Sequence, residues 1–278
     1  MRLMACEAAG RIFVGVEKDG GVVPTSYVTM KELVQDGEEG LAKVRQEAAA
    51  GEVVTAGYRV LAPIANPGKV LCGGINYLNH KEENPKAVFP TRPSVFSKLP
   101  TAIIGPGEHI VLPYADCQAD YEVELAFVIG KRAKGVKKEE ALDYIFGYTA
   151  LNDVSGRELQ FALQHEIIGK GIDTFCPLGP VIVTRDEIAD PNKLQIRSYV
   201  NGELRQNANT ELMLFHVPTL IEAITAYITL EPGDIISTGT PAGVGTFRNP
   251  PVYLAPGDYV AVEIEGIGKL ENRVVAGW

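Results

Sequence analysis

The chain has 278 residues, 46% of them hydrophobic and 22% charged, the composition of a folded globular protein and not of a disordered one. Its 26 basic against 35 acidic side chains leave a formal charge of -9, without the basic excess that phosphate neutralisation demands, which argues against a nucleic-acid partner. No apolar run approaches the roughly 18 residues of a membrane span, and Glu7 and Arg11 interrupt the first segment where a signal peptide keeps its apolar core.

Length predicts about two domains, or one large one, and the change of pattern near residue 65 favours two. The first, residues 1–65, reads as a small α/β unit. RIFVGVEKDGGVVP is a hairpin pattern around Asp19-Gly20-Gly21, and MKELVQDGEEGLAKVRQEAAAGE is a helix with a glycine break. From residue 66 to 278 the chain is strand-rich. Pro67-Gly68, Pro106-Gly107, Pro232-Gly233 and Pro256-Gly257 each precede a β-type segment, and SYVNGELR carries an Asn-Gly hairpin turn. Helical spacing is confined to KKEEALDYIFG, SGRELQFAL and VPTLIEAITAYI. The expected fold class is therefore α+β, predominantly β, without regular strand-helix alternation. Cys6, Cys72, Cys117 and Cys176 show no metal-type spacing and read as reduced thiols of a cytoplasmic protein.

The segment ADYEVELAFVIGK is the most informative. Strand parity places Asp120, Glu122 and Glu124 on one face. They form either the wet side of a half-buried strand or a site whose mutual repulsion a divalent cation relieves. Oxygen ligands suit Mg²⁺, Mn²⁺ or Ca²⁺. GYTALNDVSGRELQ then offers Asp153, which fits a helix N-cap or a third ligand, followed by Arg157 and Gln160 on one helix face.

GINYLNHKEEN, RPSVFSKLPTAIIGPGE, DYEVELAFVIGK, GYTALNDVSGRELQ, GKGIDTFCPLGP, STGTPAGVG and PGDYVAVEIEGIGKLENRV together resemble the fumarylacetoacetate hydrolase superfamily, from about residue 69 to the C-terminus. The resemblance implies a mixed β-roll core and Mg²⁺ or Mn²⁺ held by Glu122, Glu124 and Asp153, with Asp120 outside the ligand set. It implies His80 and Glu83 as a catalytic pair in a lid, Lys170 beside the reacting oxygen, and Arg157, Gln160, Thr240 and Lys98 around the substrate. Glu82 stays open as an alternative partner of His80, and Tyr77 as core or site. Residues 78 to 92, with Pro85 and Pro90, are expected to order over bound substrate. HEIIGK lacks the Trp and basic residue that many members carry ahead of the lysine, which implies an altered pocket.

A small anionic 2-oxo acid is the implied substrate, and a homodimer the implied assembly. The first functional expectation is a metal-dependent hydrolase cleaving a C–C bond in an acylpyruvate-like or 2,4-dioxo acid through a stabilised enolate. The alternative is a keto-enol tautomerase, isomerase or decarboxylase of a 2-oxo acid of the oxaloacetate or hydroxymuconate type, using the same metal.

Overall fold

A computed structural model describes residues 1–84, 88–114, 116–163 and 166–277. Its frame is an 11-stranded sheet and a 5-stranded sheet. Through the centre of the large sheet runs Val123–Ile129, antiparallel to Ile145–Asn152 on one side and to Ile235–Ser237 on the other. Cys176–Thr184 continues the sheet beyond Ile145–Asn152, and Val70–Gly73 and Val95–Lys98 close the opposite end. The smaller sheet contains Gln195–Val200, Glu203–Asn209, Tyr259–Ile264, Gly268–Ala276 and His109–Leu112.

The central strand is buried on both faces. Val123, Leu125, Phe127 and Ile129 share one apolar cluster with Ile196, Val262 and Leu270 of the smaller sheet. Ala126 and Val128 face the other way, into a cluster with Leu33, Val34 and Val44 of the helix Met30–Ala50. A strand buried on both sides reads as a nearly continuous apolar run, which is what VELAFVI is apart from one glutamate. The acidic face is therefore not a solvated one. Glu122, Glu124 and Asp120 are 6%, 1% and 0% exposed.

Several local expectations meet their structures directly. The first hairpin pairs Arg11–Lys18 with Gly21–Pro24. Helix Met30–Ala50 starts at a capping box between Thr29 and Glu32 and kinks at Gly37. Val200 pairs with Glu203 across Asn201 and Gly202, whose φ values of 53° and 81° make the turn left-handed. Others differ. Of KKEEALDYIFG, only Lys138–Tyr144 is helical, as a 3₁₀ segment, and Ile145 already begins a strand. The N-terminal segment also shares the large sheet: Arg2–Ala8 pairs with Arg11–Lys18 and with Cys176–Thr184. That pairing spans most of the chain, and no local pattern announces it.

Candidate metal and acid–base site

The site grows out of one strand pairing. Val123 lies opposite Asn152, so Glu122, just before one strand, meets Asp153, just after the other. Their backbones bond directly, Asp153 N–H donating to the Glu122 carbonyl at 2.9 Å. Asn152 Oδ1 accepts the Glu122 N–H at 3.0 Å. Glu124 stands on the same strand as Glu122, and one oxygen from each of Glu122, Glu124 and Asp153 lies within 4.8 Å of the others. Asp120 is separated from them. The extended chain breaks at Tyr121–Glu122, and Asp120 belongs to a two-residue strand paired with Ser155.

Three buried cations surround the carboxylates. Lys98 Nζ donates to Asp153 Oδ1 at 2.6 Å and to the Val154 carbonyl at 3.0 Å. Lys170 Nζ bridges Glu122 Oε2 at 2.7 Å and Asp153 Oδ2 at 2.6 Å, above the Phe96 ring. Arg157 Nη2 reaches Glu122 Oε1 at 2.6 Å, while its Nε donates to Asp120 Oδ2 at 3.0 Å. Asp120 also accepts the Gly245 and Thr246 N–H groups at 2.7 and 3.0 Å, so it anchors the arginine to the glycine-rich loop. Gly245 is obligatory there, because a Cβ would sit 1.9 Å from the Val252 carbonyl oxygen.

Set against Lys98, Arg157 and Lys170, the carboxylates Asp120, Glu122, Glu124 and Asp153 leave one negative charge. It resides at Glu124, which has no ion-pair partner among the described residues. Ser237 Oγ and Gly239 N–H donate to Glu124 Oε2. Burial, then the charges of Asp153 and Glu122, push the Glu124 carboxyl well above the ordinary range. Burial also opposes ionisation of Glu122, but Lys170 and Arg157 outweigh it and hold that carboxyl down at about 2. Lys170 is buried too, yet Asp153 and Glu122 push its pKa up. A buried carboxylate short of a countercharge, beside two more carboxylate oxygens, fits a divalent cation. The all-oxygen donor set fits a hard one.

Glu122 and Glu124 line a cavity of about 260 Å³, close to the lower end of small-molecule sites, with Asp153 fully buried beside them. His80 lines it, on the one-turn helix His80–Glu83. Its Nδ1 is 2.7 Å from Glu83 Oε1, and Glu83 Oε2 accepts the Gly243 N–H at 2.6 Å. Glu83, not Glu82, is thus the partner. Gln160 and Thr240 also line the cavity. Gln160 Oε1 accepts from Arg157 Nη1 at 2.9 Å and its amide donates to Glu166 at 2.8 Å. The Thr240 hydroxyl donates to the Val123 carbonyl at 2.9 Å and accepts from Gln206.

Lys98 departs from its expected place beside the substrate. Its side chain is fully buried and spent on Asp153. Tyr77 belongs to the apolar core. Pro85 of the expected lid and His165 of HEIIGK lie outside the described residues. Sequence reasoning missed Ser237 and Gly239 as the holders of Glu124, and Asp120 as the anchor of Arg157. In the STGT run the serine hydroxyl and the Gly239 N–H face a carboxylate of the protein.

Comparisons with known proteins agree with this geometry. Residues 69–275 match the family model described as fumarylacetoacetate (FAA) hydrolase C-terminal. A Bos taurus protein named oxaloacetate tautomerase FAHD2B, mitochondrial, is 46% identical over 266 residues, covering 92% of this chain and 84% of that one. A fumarylacetoacetate hydrolase structure from psychrophilic Exiguobacterium antarcticum superposes with a TM-score of 0.88 at 40% identity, covering 99% of both chains. Maleylpyruvate hydrolase from Sphingobium sp. SYK-6, solved with manganese(II) and pyruvate, superposes with a TM-score of 0.86 at 30% identity, covering 100% of both.

Two expectations change as a result. A cytoplasmic location, inferred from the cysteines, is overturned: relatives from Bos taurus and Homo sapiens bear mitochondrial names. Thiols packed in an apolar core carry no information about compartment. The preference for C–C hydrolysis also yields, since the tautomerase alternative matches the relatives better. The chain belongs to the fumarylacetoacetate hydrolase family.

Proposed function

We propose that this protein is a divalent-metal-dependent keto-enol tautomerase acting on a small 2-oxo acid of the oxaloacetate type. The observation that carries the reading is the convergence of His80, Glu122 and Glu124 on one cavity, with Glu83 bonded to His80 and Asp153 beside the two glutamates. The activity named for the Bos taurus relative gives that arrangement its reaction class.

Ketonisation removes the proton from the enol oxygen and returns one to the α-carbon, next to the carbonyl carbon, through an enolate. With Glu83 accepting at Nδ1, a neutral His80 ring leaves Nε2 free of hydrogen and able to take that proton. Glu83 orients the ring and offsets the charge of the imidazolium that forms. The Gly243 N–H fixes Glu83 in turn, so the pair is held to the loop that also carries Thr240. Glu122, Glu124 and Asp153 would hold Mg²⁺ or Mn²⁺, which supplies Lewis-acid stabilisation of the enolate charge. Lys170 and Arg157 add fixed positive charge at the cavity floor and favour an anionic substrate despite the acidic composition.

Ketonisation of enol-oxaloacetate, followed by ultraviolet absorbance with products identified by NMR, tests the reading. The keto acid is expected as the sole product, at a rate that EDTA abolishes. Two carbon fragments, release of CO₂, or an EDTA-insensitive rate would overturn it.

A further inference from the structure

We infer that Glu166 determines specificity, disfavouring 2-oxo acids whose second carboxylate is remote from the first and favouring those with an apolar far end. The inference rests on the reading of the cavity as a 2-oxo acid site. Its basis is a hydrogen-bonded relay leading outward from the triad. Arg157 Nη2 binds Glu122 at 2.6 Å, Arg157 Nη1 binds Gln160 Oε1 at 2.9 Å, and Gln160 Nε2 binds Glu166 Oε2 at 2.8 Å. Exposure rises along the same path, from buried Arg157 through half-buried Gln160 to exposed Glu166. Glu166 therefore stands at the outer end of a cavity whose inner end is the carboxylate floor.

The two ends differ in chemistry. Arg157 and Lys170 are the cationic lysine and arginine side chains among the described lining residues, and both are committed to the floor. The outer end carries Ile75, Phe161 and Phe247, which are 44%, 56% and 41% exposed. Glu166 has no ion-pair partner among the described residues, and its contact with Gln160 takes up one of the two N–H donors of that amide. A remote carboxylate placed here meets a like charge and apolar rings, with no arginine or lysine to pair with. In a diacid as short as oxaloacetate the second carboxylate stays near Arg157 and Lys170 at the inner end, so the discrimination acts on longer diacids.

Calorimetric binding of 2-oxohexanoate and 2-oxoadipate to the Mg²⁺-loaded protein tests this, because the two acids differ by a terminal methyl against a carboxylate. One like-charge contact in a partly desolvated site corresponds to a preference of about tenfold for 2-oxohexanoate. Glu166→Gln removes the charge and keeps an oxygen for Gln160, and should shrink the preference to about twofold. Equal affinities in the unaltered protein, binding of neither acid, or a ratio unmoved by Glu166→Gln would overturn the inference. Ketonisation of enol-oxaloacetate on the same preparation reads the proposed activity separately: a Glu166-dependent preference without tautomerisation would sink that activity and uphold the specificity assignment.

Discussion

The triad and the His80–Glu83 pair meet at one cavity, which Glu122, Glu124 and His80 line, but are built from opposite materials. Glu122, Glu124 and Asp153 sit at strand ends in the core, and each carboxylate is held by lysine, arginine, serine or backbone donors. His80 and Glu83 stand on a helix of 4 residues with 13% and 11% side-chain exposure, where Glu83 accepts the Gly243 N–H. Groups that must stay close together despite mutual repulsion are placed where the fold cannot yield. The groups that must exchange a proton are placed at the edge, where displacement costs little. Stability and activity should therefore separate by region.

The largest expected effect is on the buried side. Lys98→Met leaves Asp153 with Lys170 as its remaining cation in a fully buried setting, and breaking such a pair costs about 3–5 kcal/mol. Urea unfolding should show the loss, and a change under 1 kcal/mol would mean that the cage is not electrostatically interlocked. A smaller effect is expected in metal binding. Because the Glu124 carboxyl is pushed upward, a cation competes with a proton for it. Mg²⁺ affinity should thus rise with pH, by about tenfold per unit below that pKa. Proton release should be visible by calorimetry in buffers of different ionisation enthalpy, and pH-independent affinity would refute the assignment. In the opposite sense, Glu122, held down at about 2, contributes folding stability above the ordinary glutamate range that is lost as pH falls toward 2. The smallest effect belongs to Glu82→Gln. Glu82 is exposed and adjacent to the pair but not bonded to His80, so ketonisation should change by less than about twofold.

The same contrast explains what was readable in the sequence. Alternation brought Glu122 and Glu124 forward, together with Asp120, because a strand has a fixed period and three acids on it are conspicuous; Asp153, after another strand, joined them through the family resemblance. The local period says nothing about which cation each carboxylate meets. Lys98 and Asp153 are 55 residues apart, and Ser237 lies 113 residues from Glu124, so their meeting depends on sheet order. The break at Tyr121–Glu122, which turns Asp120 toward Arg157, was hidden by the apparent continuity of the strand. For the pair the difficulty was different. Glu82 and Glu83 sit one residue apart, and helical spacing favours the second without excluding the first. Only the backbone placement of Gly243 chooses between them. Sheet order likewise draws Arg2–Ala8 into the large sheet.

The central claim is that cation binding and proton transfer reside in separable regions. Its most direct test is the ketonisation rate of enol-oxaloacetate by His80→Ala protein, read at a Mg²⁺ concentration that saturates both forms. Removing a general base typically costs about 10²–10⁴ in rate, and the account predicts a loss of that order with Mg²⁺ affinity preserved. An unchanged rate would contradict it, as would a loss matched by an equal loss of Mg²⁺ affinity.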